Sequence, residues 1–253
     1  MDFTQVITRL PSLNCGQGET TATAGAPDSQ QTRQQFFRYI EVLLELNLRV
    51  TILPAEPDFP DAHFVEDPAV VLPELAIITH PGAKSRQGEE ISLAAELEKY
   101  RPLYRMQGGG HLDGGDVLLA GRQFFIGLTA RTDQAGIDEF RQAVTPFGYQ
   151  VSEVAVPAGL HLKSVVNYIG NNTLLLTAAY HDLPVFADYQ RIVIPDSEAY
   201  AGNTLLINGT LITPAGYPQT LAALQQTGMP IIEIDTSEFK KMDGSLTCLS
   251  LRF

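Results

Sequence analysis

Two stretches of this chain can be laid over each other. Residues 117–127 run Val117-Leu118-Leu119-Ala120, Gly121-Arg122, then Gln123-Phe124-Phe125-Ile126-Gly127; residues 204–214 run Thr204-Leu205-Leu206-Ile207, Asn208-Gly209, then Thr210-Leu211-Ile212-Thr213-Pro214. Each is an apolar run, a glycine-containing turn and a second apolar run, the pattern of a tight β-hairpin. The match continues beyond each hairpin. Residues 132–144 predict a helix with Ile137, Phe140 and Val144 on one face, and Tyr149-Gln150-Val151 predicts a return strand. Residues 218–226 predict a helix with Leu221 and Leu224 inward, before the strand 230–234. The unit is β-β-α-β.

Weaker copies fill the rest of the chain. Val70–Leu72 and Leu75–Ile78 form a hairpin ahead of a helix near 86–99, and 164–169 with 173–176 form another around Gly170-Asn171-Asn172. The first unit has strand 5–7, a helix near 29–46 with Phe36, Ile40, Leu43 and Leu44 inward, and strand 49–53. It lacks one strand, which the C-terminal run through Cys248 can supply. Five units of about 50 residues make a period expected of a closed array. Pairing the last strand with the first would close that ring and explain how a catalytic residue could lie so close to the terminus. The competing reading is an ordinary α/β sheet with coincidental hairpins.

Composition narrows function. With 253 residues and 44% hydrophobic content the chain can bury a large core. A net charge of −12 leaves no basic footprint for nucleic acid. No apolar run reaches the roughly 20 residues that span a bilayer. Met1-Asp2-Phe3-Thr4 has none of the charged and apolar regions of a secretory leader. Two cysteines make no disulfide framework, so a reducing, cytoplasmic setting is expected. In that setting Asn171-Asn172-Thr173 and Asn208-Gly209-Thr210 are hairpin turns rather than glycosylation sites.

Chemistry has few candidate carriers. Cys248 is either a small hydrophobe in a strand or a nucleophile, which must act as thiolate. Cys15 lies in a polar stretch, 13–19, that predicts a mobile loop, a poor place for a group that must be positioned within ångströms. His161, between Leu160 and Leu162 and beside Lys163 at the start of a predicted strand, is either a core histidine or a general base. His63 fits a surface loop, His111 follows the triplet 108–110, and His80 and His181 have no supporting context. Asp61 and Asp67 bracket Phe64 in a proline-punctuated loop, and Asp113 and Asp116 bracket two glycines. Carboxylates beside aromatic and glycine residues suit a pocket that desolvates a cation. No His/Cys spacing resembles a metal site, and the glycine triplet lacks the lysine of a phosphate loop.

The ordered segments 59–68, 81–86, 112–118, 130–132, 159–164 and 243–248 resemble the dimethylarginine dimethylaminohydrolase family of guanidine-modifying enzymes. The resemblance spans nearly the whole chain. It implies a single catalytic domain, residues 1–253, folded as a five-bladed pseudo-symmetric α/β-propeller (pentein) of ββαβ units. It implies Cys248 as nucleophile, His161 as acid and then base, and Asp113 as the acidic partner of that histidine. The implied substrate-binding residues are Asp67 on the guanidinium, Asp61 on the α-amino group, Arg86 and Arg131 on the α-carboxylate, Phe64 as a wall, and Glu66 and Met242. The implied reaction takes an Nω-methylated arginine to citrulline and a methylamine through a covalent thiouronium, without metal or cofactor.

Two positions depart from the family pattern. Asp113 stands where some bacterial relatives have glutamate. The stretch 13–25, which corresponds to the substrate lid, has its own sequence and bears on which guanidine is preferred. The alternatives are a hydrolase of free arginine or another small guanidine, an amidinotransferase, and a non-catalytic pentein binding module. An acidic ring with exposed β edges could also form a homodimer.

Overall fold

The computed structural model describes residues 2–156 and 159–253. Five three-stranded sheets follow one another along the chain. The first takes β1 (Gln5–Arg9), α1 (Ser29–Glu45) and β2 (Arg49–Leu53); the second takes β3 (Ala69–Val71), β4 (Ala76–Ile78), α2 (Glu90–Leu97) and β5 (Leu103–Arg105). The third comprises β6 (Val117–Ala120), β7 (Gln123–Leu128), α3 (Gln134–Val144) and β8 (Gln150–Ala155). The fourth comprises β9 (Val166–Tyr168), β10 (Thr173–Thr177), α4 (Ala178–His181) and β11 (Gln190–Ile194). The fifth has β12 (Leu205–Ile207), β13 (Thr210–Pro214), α5 (Pro218–Gln225) and β14 (Ile231–Ile234), and the chain ends through α6 (Ser237–Lys240) and β15 (Leu251–Arg252).

The pairing follows from the connections. Within each of blades two to five the two-strand hairpin is antiparallel, and the middle strand pairs parallel with the strand that returns through a crossover. Blade one is completed from the far end of the chain: β15 runs antiparallel to β1, with Val6 opposite Arg252 and Ile7 opposite Leu251. The ring is therefore closed by the last strand, as the repeat requires. Asn208 and Gly209 both have positive φ, 47° and 81°, which is the backbone a two-residue hairpin turn demands.

The helices bury the stripe that their periodicity marks. Ile137, Phe140 and Val144 of α3 are fully buried, and Asp133 caps the helix by accepting from Gly136 N at 2.8 Å. In α1, Phe36, Ile40 and Leu43 enter the core, but Leu44 is 54% exposed because it lies about 100° further round the helix than Leu43. In α5, Leu224 is buried and Leu221 only half so. The inward place goes instead to Thr220, whose N–H and Oγ1 donate to Glu198 at 2.7 and 2.8 Å.

Three local expectations are corrected. Cys248 sits in a 3₁₀ turn, Thr247–Leu249, immediately before β15, not within a strand. His161 precedes a similar turn, Leu162–Ser164, and not the start of β9. Cys15 is not in a mobile loop: it is 1% exposed, at the head of the turn Cys15–Gln17, and packs in the cluster that holds Phe36 and Tyr39.

Candidate active site

Residues from several separate loops meet in one cleft. Asp61, Phe64 and Asp67 come from the connection between β2 and β3, and Arg86 from the turn before α2. Leu160 and His161 come from the loop before β9, and Met242, Asp243, Gly244 and Cys248 from the segment before β15. Glu19 of the 13–25 stretch and Arg131 complete the lining. Of the expected site residues, Asp61, Phe64, Asp67, Arg86, Arg131, His161, Met242 and Cys248 are thus brought together. Asp113 stands directly behind, fully buried, with Oδ2 3.0 Å from His161 Nε2.

Glu66 is the one expected substrate-binding residue that the fold turns away. Neighbouring residues alternate: Asp67 and Cys248 face the cleft, while Glu66 and Thr247 face a separate cavity of about 310 Å³. There Glu66 accepts from Lys163 Nζ at 2.6 Å, Thr247 Oγ1 at 2.7 Å and Arg252 Nη2 at 3.3 Å. Asn203 binds the same wall, accepting from Thr247 N at 2.9 Å and donating to Lys163 O at 2.9 Å. These bonds fix the turn that carries Cys248. A buried carboxylate with this many partners is a structural anchor.

The histidine is held with equal care. Asp116 Oδ1 accepts from Leu162 N at 2.8 Å, and its Oδ2 accepts from Thr129 and Thr132 Oγ1, each at 2.7 Å. Asp113 Oδ1 accepts from Gly82 N at 2.9 Å, and Asp113 N donates to Thr132 Oγ1 at 3.1 Å. Gly115 is needed because a Cβ there would lie 2.6 Å from His161 Nδ1 and 2.7 Å from Asp67 Oδ1. That close approach lets Gly115 N donate to Asp67 Oδ1 at 2.9 Å. Sequence reasoning missed Asn203, Thr129 and Thr132 as supports, since single polar residues in loops carry no periodic signal.

Electrostatics set the protonation states. Burial by itself would lower the His161 pKa, but Asp67, Asp113 and Asp116 overcome it and raise the value to about 9. Burial pushes the Asp113 carboxyl up, and the His161 hydrogen bond and charge, with Arg86, bring it below its usual value. The Cys248 thiol is pushed up to about 12 by burial and by Glu66 and Asp67, against weaker opposition from Ser245 and Lys163. At neutral pH the resting site therefore holds an imidazolium and a neutral thiol.

Among the described residues, Asp67, Asp113 and His161 form the one cluster whose donor atoms could share a metal ion, lying within 4.8 Å of one another. Their bonds are already assigned: Asp113 to His161 and Gly82, Asp67 to Gly115 and the Arg86 guanidinium. Arg86 also donates to Glu89 and to the carbonyls of Phe64 and Asp61, at 2.7, 3.0 and 3.3 Å from Nη2. The set is built around cations that carry N–H groups.

Full-length relatives carry the same fold. The chain is 36% identical to N(G),N(G)-dimethylarginine dimethylaminohydrolase of Pseudomonas aeruginosa over 253 residues, covering 99% of this chain and 100% of the relative. The chain belongs to the dimethylarginine dimethylaminohydrolase family. The Streptomyces coelicolor member is 32% identical, over 100% of this chain and 98% of its own. A solved structure of the Pseudomonas aeruginosa protein, a cysteine-to-serine variant complexed with citrulline, superimposes with a TM-score of 0.98 over the whole of both chains. The fold is accordingly the five-bladed pentein propeller. The N-terminal domain of the cyanobacterial arginine dihydrolase ArgZ shares it at 19% identity and a TM-score of 0.88, covering 100% of this chain and 97% of that one. No family model matches the chain.

Proposed function

We propose that the chain, acting as one catalytic domain in the cytoplasm, hydrolyses Nω-methylated arginines to L-citrulline and a methylamine. The observation that carries this is Cys248 sharing a cleft with His161 and Asp67, with Asp113 bonded to the histidine. Family membership adds weight, since the Pseudomonas aeruginosa relative is known with citrulline, and a dimethylarginine dimethylaminohydrolase variant is known as an S-methyl-L-thiocitrulline adduct. Free thiols suit a reducing compartment, and no helix among the described residues is long and apolar enough to cross a membrane.

The chemistry follows from the charges. A guanidinium beside Asp67 places a cation near Cys248 and favours the thiolate that burial and carboxylates otherwise oppose. The thiol proton leaves to solvent, the thiolate attacks the guanidinium carbon, and His161 as imidazolium gives its proton to the departing dimethylamine. Carbon–nitrogen cleavage leaves an S-alkylthiouronium on Cys248. Neutral His161 then takes a proton from water as its oxygen adds to that carbon. Collapse breaks the carbon–sulfur bond, the hydroxyl proton passes to the departing sulfur, and the citrulline ureido group and the Cys248 thiol remain. Asp113 keeps the imidazole oriented in both halves of the cycle. Asp61 Oδ1 is buried and without a partner among the described residues, so it is free to accept the substrate ammonium.

The test is product analysis with Nω,Nω-dimethyl-L-arginine and L-arginine. Citrulline and dimethylamine should form one to one, and Cys248→Ser should cut the rate by about a thousandfold or more. Ammonia from arginine as the faster reaction would replace this reading with an arginine hydrolase. No citrulline from either substrate would send the search to other guanidines or to a non-catalytic binding role.

A further inference from the structure

The lid carries its own carboxylate into the place where the substrate's is expected. Glu19 Oε2 lies 3.1 Å from Arg131 Nη2, and its Oε1 accepts from Ser85 Oγ. The lid backbone is held on both sides of this residue. Glu19 N donates to Asp61 Oδ2 at 2.8 Å, and Thr20 and Thr21 Oγ1 donate to Asp243 at 3.2 and 2.9 Å. Gly18 permits the approach, since a Cβ there would fall 2.0 Å from Asp61 Oδ1.

We infer that Glu19 is a specificity residue: an internal carboxylate that competes with the α-carboxylate of an amino-acid substrate for Arg131. This rests on the reading of Arg131 as the carboxylate clamp. Arg86 is poorly placed to share that duty, because its guanidinium is committed to Glu89, Asp67 and two backbone carbonyls. Among the described residues Glu19 is the carboxylate paired with Arg131. An arginine derivative must therefore displace the Glu19 carboxylate from Arg131. A guanidine whose carboxylate is replaced by hydrogen needs no such displacement at Arg131, and it keeps an ammonium for Asp61. Glu19 thus shifts the preference away from amino acids and towards amine-bearing guanidines.

The test is a binding measurement, so it does not depend on turnover. Titration calorimetry on the Cys248→Ser protein would compare Nω,Nω-dimethyl-L-arginine with its decarboxylated amine, with and without Glu19→Gln. Glu19→Gln should tighten the amino acid about two- to fivefold, the range for an exposed ion pair. It should weaken the decarboxylated amine, which loses a nearby negative charge. Glu19→Ala, which keeps the backbone bond to Asp61, should change both in the same directions. In an Arg131→Gln background the gain for the amino acid should vanish. Equal changes for both ligands, a gain that persists without Arg131, or no binding of either ligand would overturn the inference. If the binding pattern holds while wild-type protein makes no citrulline, the hydrolase reading falls and the clamp competition stands.

Discussion

His161 and His63 are both buried within the same few loops, yet their environments drive them to opposite charge states. His161 is surrounded by Asp67, Asp113 and Asp116, and its pKa rises to about 9 in spite of burial. The His63 ring lies 4.0 Å from that of Phe64 and 6.0 Å from that of Phe239, and it bonds Pro60 O at 3.1 Å through Nδ1. Burial, with Arg86 as the nearby charge, lowers its pKa to about 3. Burial alone makes a neutral core histidine. Three ordered carboxylates make an acid that remains protonated at neutral pH, which is what an amine leaving group requires.

The largest effect should come from removing the carboxylate that most directly separates the two. Asp113→Asn keeps the shape but withdraws the charge hydrogen-bonded to His161 Nε2. kcat should fall by about 10²–10⁴, and the alkaline limb of the rate profile should move to lower pH as the imidazolium loses its stabilising partner. An unchanged alkaline limb would mean that Asp113 does not set the charge of His161. Next in size is Gly115→Ala, whose Cβ would press on His161 Nδ1 and Asp67 Oδ1. Displacing two groups by a few tenths of an ångström to an ångström should cost about a hundredfold in kcat, with far-ultraviolet circular dichroism unchanged. Wild-type turnover in this variant would show that the close approach is not needed.

The ring is legible in the chain and the supports of the site are not, for a physical reason. A hairpin and its helix write two periods and a turn into about 50 residues, and five such units in series leave little room for coincidence. Asn203 and Thr129 write nothing, because each is one polar residue whose partner lies in another loop. Cys15 is misleading for the same cause. Its polar neighbours predict a loop, but the turn is buried in the same core cluster as Phe36 and Tyr39 of α1. The Glu66–Asp67 pair shows the limit at its sharpest: adjacent carboxylates in one motif face opposite sides of the wall, and only the backbone path decides which reaches the cleft.

The smallest effect is on stability, and its sign differs between the two histidines. His161 has a folded pKa of about 9, above the ordinary 6.5, so its contribution is fully present below pH 6.5 and is lost as pH rises through about 9. His63 has a folded pKa of about 3, below 6.5. The unfolded chain gains a proton there that the folded chain refuses, so stability is lost as pH falls from about 6.5 towards 3. Each limb is bounded at about 1.4 kcal/mol per pH unit, the slope for one proton. Denaturant midpoints across pH, taken as wild type minus His63→Asn, should therefore decline only on the acid side. The same difference against Asp113→Asn should decline on the alkaline side, where the variant no longer holds the His161 proton. A wild-type-minus-His63→Asn difference that stays flat on the acid side would assign the acid loss to other groups such as Asp113, and the opposition between the two histidines would then rest on His161 alone.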